Sequence, residues 1–74
     1  MRAMYTDEND NLAVCKIMSL TFDKDKRQMH LKAQEDSADL IFSGITPSVF
    51  RYYVKKLFLE GYINLSCYKA IKKE

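Results

Sequence analysis

Two glycines, one proline, one histidine, two cysteines and no tryptophan are spread over the 74 residues of this chain. Each scarcity removes a class of function. Two glycines can hardly build a phosphate-cradling loop or a dinucleotide fingerprint, and no G-x-S-x-G occurs. His30 has no second histidine and no nearby cysteine, so no metal set is assigned to it. No partner positions it as a general base either. Asp7, Glu8 and Asp10 suggest calcium only superficially, because the central glycine and closing glutamate of the EF-hand loop are missing. Cys15 and Cys67 lie far apart and form no C-x-x-C unit. Small secreted scaffolds normally use several disulfides, so both thiols are expected to be reduced and buried in a cytoplasmic protein, with a single bridge as the alternative. No apolar run is long enough to cross a membrane, and no basic start leads into an apolar signal segment. A membrane partner, a small-molecule substrate and a cofactor are therefore not expected, and an enzyme is not expected.

What is present describes one small folded domain over residues 1–74. Hydrophobic residues make up 47% of the chain and charged residues 30%, well above the apolar content of a disordered chain. The size is near the lower limit for a self-supporting core. The formal net charge of +2 conceals an asymmetry. Residues 1–49 hold six Lys/Arg against eight Asp/Glu, whereas residues 50–74 hold six Lys/Arg against Glu60 and Glu74. The basic excess at the C-terminal end is where an anionic partner is expected to dock.

The best-punctuated segment is Thr46 to Gly61. Thr46 is a capping residue, Pro47 suits the first helical position, and Gly61 can take the left-handed conformation that ends a helix. Between them Val49, Phe50, Tyr53, Val54, Leu57 and Phe58 cover about half the helix circumference and predict its core face. Upstream, Thr6-Asp7-Glu8-Asn9-Asp10-Asn11 reads as a loop. In residues 12–22, Leu12, Val14, Met18, Leu20 and Phe22 share one parity, interrupted by Lys16, while Ala13, Cys15 and Ile17 take the other. That pattern predicts a strand covered on one side and partly on the other. A charged turn at 23–27 precedes Gln28–Ala33, in which Met29, Leu31 and Ala33 point inward, and a polar turn at 34–37 precedes Ala38–Phe42. Residues 24–41 also have helix-favouring composition and helical spacing, so propensity and alternation disagree there. After Gly61, residues 62–68 alternate as a strand, with Tyr62 and Tyr68 on one face. Asn64 could instead cap a short final helix. Met1, Met4, Met18 and Met29 are expected to fill core gaps, or near the start to serve a contact surface.

Two family patterns are carried by these residues. Phe42-x-Gly44-Ile45-x-Pro47-x-Val49-Phe50 followed by Gly61-Tyr62-Ile63-Asn64 resembles the KTSC domain over roughly residues 17–64. That family has Tyr-x-Tyr where this chain has Leu40-x-Phe42. The resemblance implies a short bacterial module for which RNA binding is the usual suggestion. Gly44-Ile45-Thr46-Pro47-Ser48-Val49, with Val54-Lys55-Lys56-Leu57 and Glu60-Gly61-Tyr62-Ile63, resembles the turn, recognition helix and wing entry of a winged helix-turn-helix. That likeness implies that Ser48, Arg51, Tyr52 and Lys55 face DNA.

The expected fold is α+β: a three- or four-stranded antiparallel β-meander packed on one amphipathic helix (residues 47–60), with a short C-terminal strand or helix. The alternative is a winged helix-turn-helix. The expected contact residues are Arg51, Tyr52, Lys55, Lys56 and Leu59 on the outer helix face, with Lys69, Lys72 and Lys73 in the tail. The first expectation for their partner is nucleic acid, met by cations at phosphates and by Tyr52 as a stacking ring. The alternative is a protein-interaction module or inhibitor of phage or mobile-element type, acting on a protein partner or as a homodimer. A second sheet surface with His30 and Lys32 lacks the aromatic residues of a stacking platform.

Overall fold

Runs that alternate every second residue become strands in this chain, and one run with helical spacing becomes its helix. The computed structural model describes residues 1–35 and 38–73. Along the chain come β1 (Arg2–Thr6), β2 (Leu12–Asp23), β3 (Gln28–Ala33), β4 (Asp39–Ser43), α1 (Pro47–Glu60), β5 (Tyr62–Lys69) and β6 (Ile71–Lys73). They make a small α+β domain with a six-stranded mixed sheet in the order β5-β1-β2-β3-β4-β6. Neighbours are antiparallel except for the parallel pair β1 and β5.

The two ends of that order are consecutive in the chain, since only Ala70 parts β5 from β6. One stretch therefore pairs with β1 at its start and with β4 at its end, and the sheet curls round on itself. Four alternating strands followed by one that joins both outer members require a parallel pair at the closure. Arg2 N–H donates to Gly61 C=O at 2.9 Å and Ala70 N–H to Thr6 C=O at 2.8 Å, fixing both ends of β5. Inside lie Met29, Leu31, Phe42, Ile45, Ile63 and Leu65, all fully buried. Tyr5 and Phe42 meet edge-on across the interior, with ring centroids 6.2 Å apart.

Several sequence expectations change. Six strands replace the three or four that were counted, because residues 2–6 form β1 and the chain after Gly61 forms β5 and β6 rather than a short helix. The winged helix-turn-helix is overturned: residues 24–33 are a turn and β3, and α1 is the only α-helix among the described residues. Alternation of Met29, Leu31 and Ala33 into the core outweighs helix-favouring composition there. Of the polar turn expected at 34–37, residues 36 and 37 lie outside the described residues.

The imperfect alternation of residues 12–22 is a β-bulge. Ile17 pairs with Ala33 but Ser19 pairs with Lys32, so Met18 is an extra residue on β2. Before the bulge Cys15 and Ile17 face the core, and Leu12, Val14 and Lys16 face outward. After it the parity reverses and Leu20 and Phe22 turn inward against the core cluster. A second irregularity lies in β5, where register with β1 jumps from Tyr5↔Leu65 to Thr6↔Lys69. Thr6 Oγ1 donates to Ser66 C=O at 2.7 Å within that outward step.

α1 is bounded as the sequence predicts. Val49 N–H donates to Thr46 Oγ1 at 3.3 Å, Pro47 occupies the first turn, and Gly61 closes the helix at φ 70° with its N–H on Leu57 C=O. The helix packs against β5 and meets β2, burying Tyr53 and Leu57. Phe50 stacks on Phe22 with centroids 5.0 Å apart. No helix among the described residues is long and apolar enough to cross a membrane.

Candidate docking groove

The buried face of α1 is narrower than its sequence suggests. Val49, Phe50, Tyr53, Val54 and Leu57 are buried or half-buried, but Phe58 is 79% exposed. At roughly 100° per residue, Phe58 lies a little over a quarter turn beyond Leu57. There it meets β2. Met1, Ile17, Met18, Ser19, Leu20, Val54, Leu57 and Phe58 line a groove of about 510 Å³ between the strand and the helix.

Strand lengths create this groove. β1 reaches β2 only over Leu12–Lys16, with one further bond from Ile17 N–H to Met1 C=O at 2.9 Å. Beyond Ile17, β2 continues to Asp23 with β3 on one side and, among the described residues, no strand on the other. The bulge places Met18 on the outer surface at 58% exposure, and Met1 is likewise exposed. Two of the four methionines thus face solvent, whereas Met29 is fully buried and Met4 half-buried. Neighbouring exposed apolar side chains of this kind mark contact sites on small proteins.

The contact residues expected from the sequence divide into three groups. Arg51 and Lys55 are exposed and, by spacings of three, four and seven residues, share the helix stripe of Val54 and Phe58, two of the residues that line the groove. Neither makes an ion pair among the described residues. Tyr52 and Lys56 lie toward the opposite side. There Lys56 is paired with Glu60, and its ammonium sits 5.9 Å from the Tyr52 ring centroid. The hydrogen bond to Glu60 holds the Lys56 ammonium above its ordinary pKa. Leu59, 71% exposed, separates the two sets. Lys69, Lys72 and Lys73 stand at the far end of β5 and in β6, where the chain pairs with β4.

At that far end the acidic 7–11 loop is built into the fold. Asp7 Oδ1 accepts from the N–H groups of Asn9 and Asn11, both at 2.9 Å. Glu8 Oε1 accepts from Lys72 N–H at 2.9 Å, and Asp10 pairs with Lys69 at 3.4 Å. The hollow beside this loop is smaller, about 220 Å³, and is lined by Tyr5, Leu40, Ala70 and the loop. These carboxylates organise the β1–β2 connection and hold β6 against it.

Both cysteines are free, but Cys67 is exposed rather than buried. The β5 irregularity carries it outward and brings Tyr68 edge-on to Tyr53, with centroids 6.4 Å apart. Burial, and then the neighbouring Cys67 and Tyr68 side chains, push the Tyr53 hydroxyl well above its ordinary pKa. Burial, with Glu35 beside it, also raises the Cys15 thiol. On the outer sheet face His30 and Lys32 are half-buried, and His30 Nε2 is enclosed without a hydrogen-bond partner.

Met18 was expected to fill a core gap and Phe58 was assigned to the core by helical spacing, whereas for the methionines near the start a contact surface was the alternative expectation. The broken parity around Lys16 and Met18 was the available signal. No family model matches this chain, and no curated protein or solved structure shows a significant similarity to it.

Proposed function

We propose that this chain is a small non-enzymatic protein-interaction module that binds through the groove between β2 and α1. One observation carries this: Met1, Met18 and Phe58, exposed and apolar, converge with Val54 and Leu20 on one groove. Exposed scattered hydrophobes are ordinary, but a lined groove of several is a contact surface. Its walls are aliphatic apart from the single ring of Phe58, which suits peptide side chains better than successive nucleobases, each of which needs an aromatic face on which to stack. The test is selection of binders from a random-peptide display library on the folded protein. Recovered peptides should lose binding to the Phe58→Asp and Met18→Asp variants. Binders that ignore both substitutions, or a selection that returns none, would refute the proposal.

A second reading, nucleic-acid binding, is favoured by Arg51 and Lys55, the unpaired cations of the exposed helix face, and by the resemblance to the KTSC domain. It is weakened by the pairing of Lys56 with Glu60 and of Lys69 with Asp10. Fluorescence polarisation with single-stranded RNA and DNA oligonucleotides at low salt decides it. Affinity that falls with salt and with Arg51→Ala plus Lys55→Ala supports nucleic acid. No binding at low salt excludes it.

A further inference from the structure

We propose that the groove takes an extended, acidic segment of a partner protein, which adds to β2 at residues 18–21 as a strand in line with β1. This rests on the reading of the groove as a protein-interaction site and adds the mode of binding and the chemistry of the partner.

The backbone supplies the first reason. An antiparallel strand turns the amide and carbonyl groups of alternate residues to alternate sides. β3 takes one side of β2 through Asp23, while β1 takes the other only as far as Ile17. From Met18 onward the β1 side of β2 is a strand edge facing the groove. Such edges recruit further strands unless they are covered. The covering here is incomplete. The stack of Phe50 on Phe22 closes the far end of the slot, whereas Met18, Ser19 and Leu20 line its open part with Val54 and Phe58 opposite. The open stretch spans three or four β2 residues, about 10–13 Å of extended chain.

Charge chooses the occupant. Arg51 and Lys55 lie on the helix stripe next to Val54 and Phe58, neither is ion-paired among the described residues, and no described Asp or Glu lines the groove. A second copy docking by the same surface would bring a second set of the same cations into the contact and no carboxylate from the groove lining, because a two-fold contact pairs identical surfaces. A segment that alternates apolar residues with Asp or Glu meets both demands. Its apolar side chains pack on Phe58 and Met18, its carboxylates reach Arg51 and Lys55, and its backbone completes the β2 ladder.

The test uses the peptides selected on the folded protein, resynthesised in three forms. The unmodified peptides should alternate apolar and acidic residues and should shift the amide resonances of residues 18–21. Versions N-methylated at alternate backbone positions should bind about tenfold or more weakly in one phase of alternation and little changed in the other. Against Arg51→Glu plus Lys55→Glu, affinity should fall by a similar factor, and peptides with lysine in place of glutamate should recover part of it. If the selected peptides require Phe58 but tolerate N-methylation in both phases, strand addition is refuted while the groove stands. If they bind without Phe58, both proposals fall together. Neutral peptides that bind as tightly as acidic ones overturn the charge assignment.

Discussion

Leu57 and Phe58 are adjacent, both apolar, and both assigned to the core by helical spacing, yet alanine at each should have opposite consequences. Leu57 is 7% exposed, so Leu57→Ala removes buried methyl groups and leaves a cavity, at a cost of about 2–5 kcal/mol. Phe58 keeps only about a fifth of its surface from water. Full burial of such a side chain stabilises by about 1.5–3 kcal/mol, so the buried fifth contributes roughly 0.3–0.6 kcal/mol. Alanine is the better helix former by about 0.5 kcal/mol, which offsets most of that loss. Phe58→Ala should therefore stay within about 0.5 kcal/mol of the parent. Urea unfolding followed by circular dichroism separates the two outcomes. For a domain of this size a loss of 2 kcal/mol lowers the melting temperature by about 8–16 °C. Should Phe58→Ala destabilise as much as Leu57→Ala, the helix would be rotated toward the sheet and the groove would not exist. A near-neutral result also makes Phe58 variants clean probes of binding, since loss of affinity could not be blamed on unfolding.

Thr46→Ala removes the acceptor for Val49 N–H and should cost about 1 kcal/mol in the same unfolding assay. Gly61→Ala places a Cβ at φ 70° in otherwise open space, so its cost of about 1 kcal/mol should come from backbone conformation alone. Cys67 should react with a thiol reagent in the native protein while Cys15 reacts only on unfolding, read by intact-mass spectrometry. The raised Tyr53 pKa means that folding favours the neutral phenol. The Tyr53 contribution to stability should be constant below the unfolded value near 10 and fall as pH rises above it, when the unfolded chain ionises first. Tyr53→Phe should flatten that alkaline decline in pH-dependent melting, and an unchanged slope would place its cause elsewhere.

Local signals were legible because their physics is local. The cap, proline and glycine of α1 act within one turn, and Met29, Leu31 and Ala33 alternate strictly on a short strand. What escaped depended on partners distant in sequence. Nothing in Arg2–Thr6 announces that it will lie between Leu12–Lys16 and Tyr62–Lys69, because the parallel pairing joins residues some sixty positions apart. Equally, Lys69 reads as a free cation until the curled sheet sets it beside Asp10. Helical spacing assigned Phe58 to the core for the same reason: a helical wheel gives direction, but not how far a curved sheet extends beneath it.

The bulge at Met18 links these failures to the proposed site. An unbulged β2 would keep one parity throughout, so that Leu20 and Phe22 would face outward with Leu12 and Val14. Inserting Met18 turns Leu20 and Phe22 beneath α1, supplies Phe50 with its stacking partner, and exposes Met18 at the mouth of the groove. Deleting Met18 should then do more than remove one contact residue. It should force a register slip along Ser19–Asp23 or reverse that segment's faces, with loss of several kcal/mol as two large side chains leave the core. Met18→Ser, by contrast, keeps the extra residue and, with about two fifths of the side chain buried, should cost only roughly 0.6–1.3 kcal/mol, while lowering peptide affinity. If deletion and substitution were equally mild, the irregular alternation of residues 12–22 would not be a bulge at all, and the strand edge at residues 18–21 would lose its structural basis.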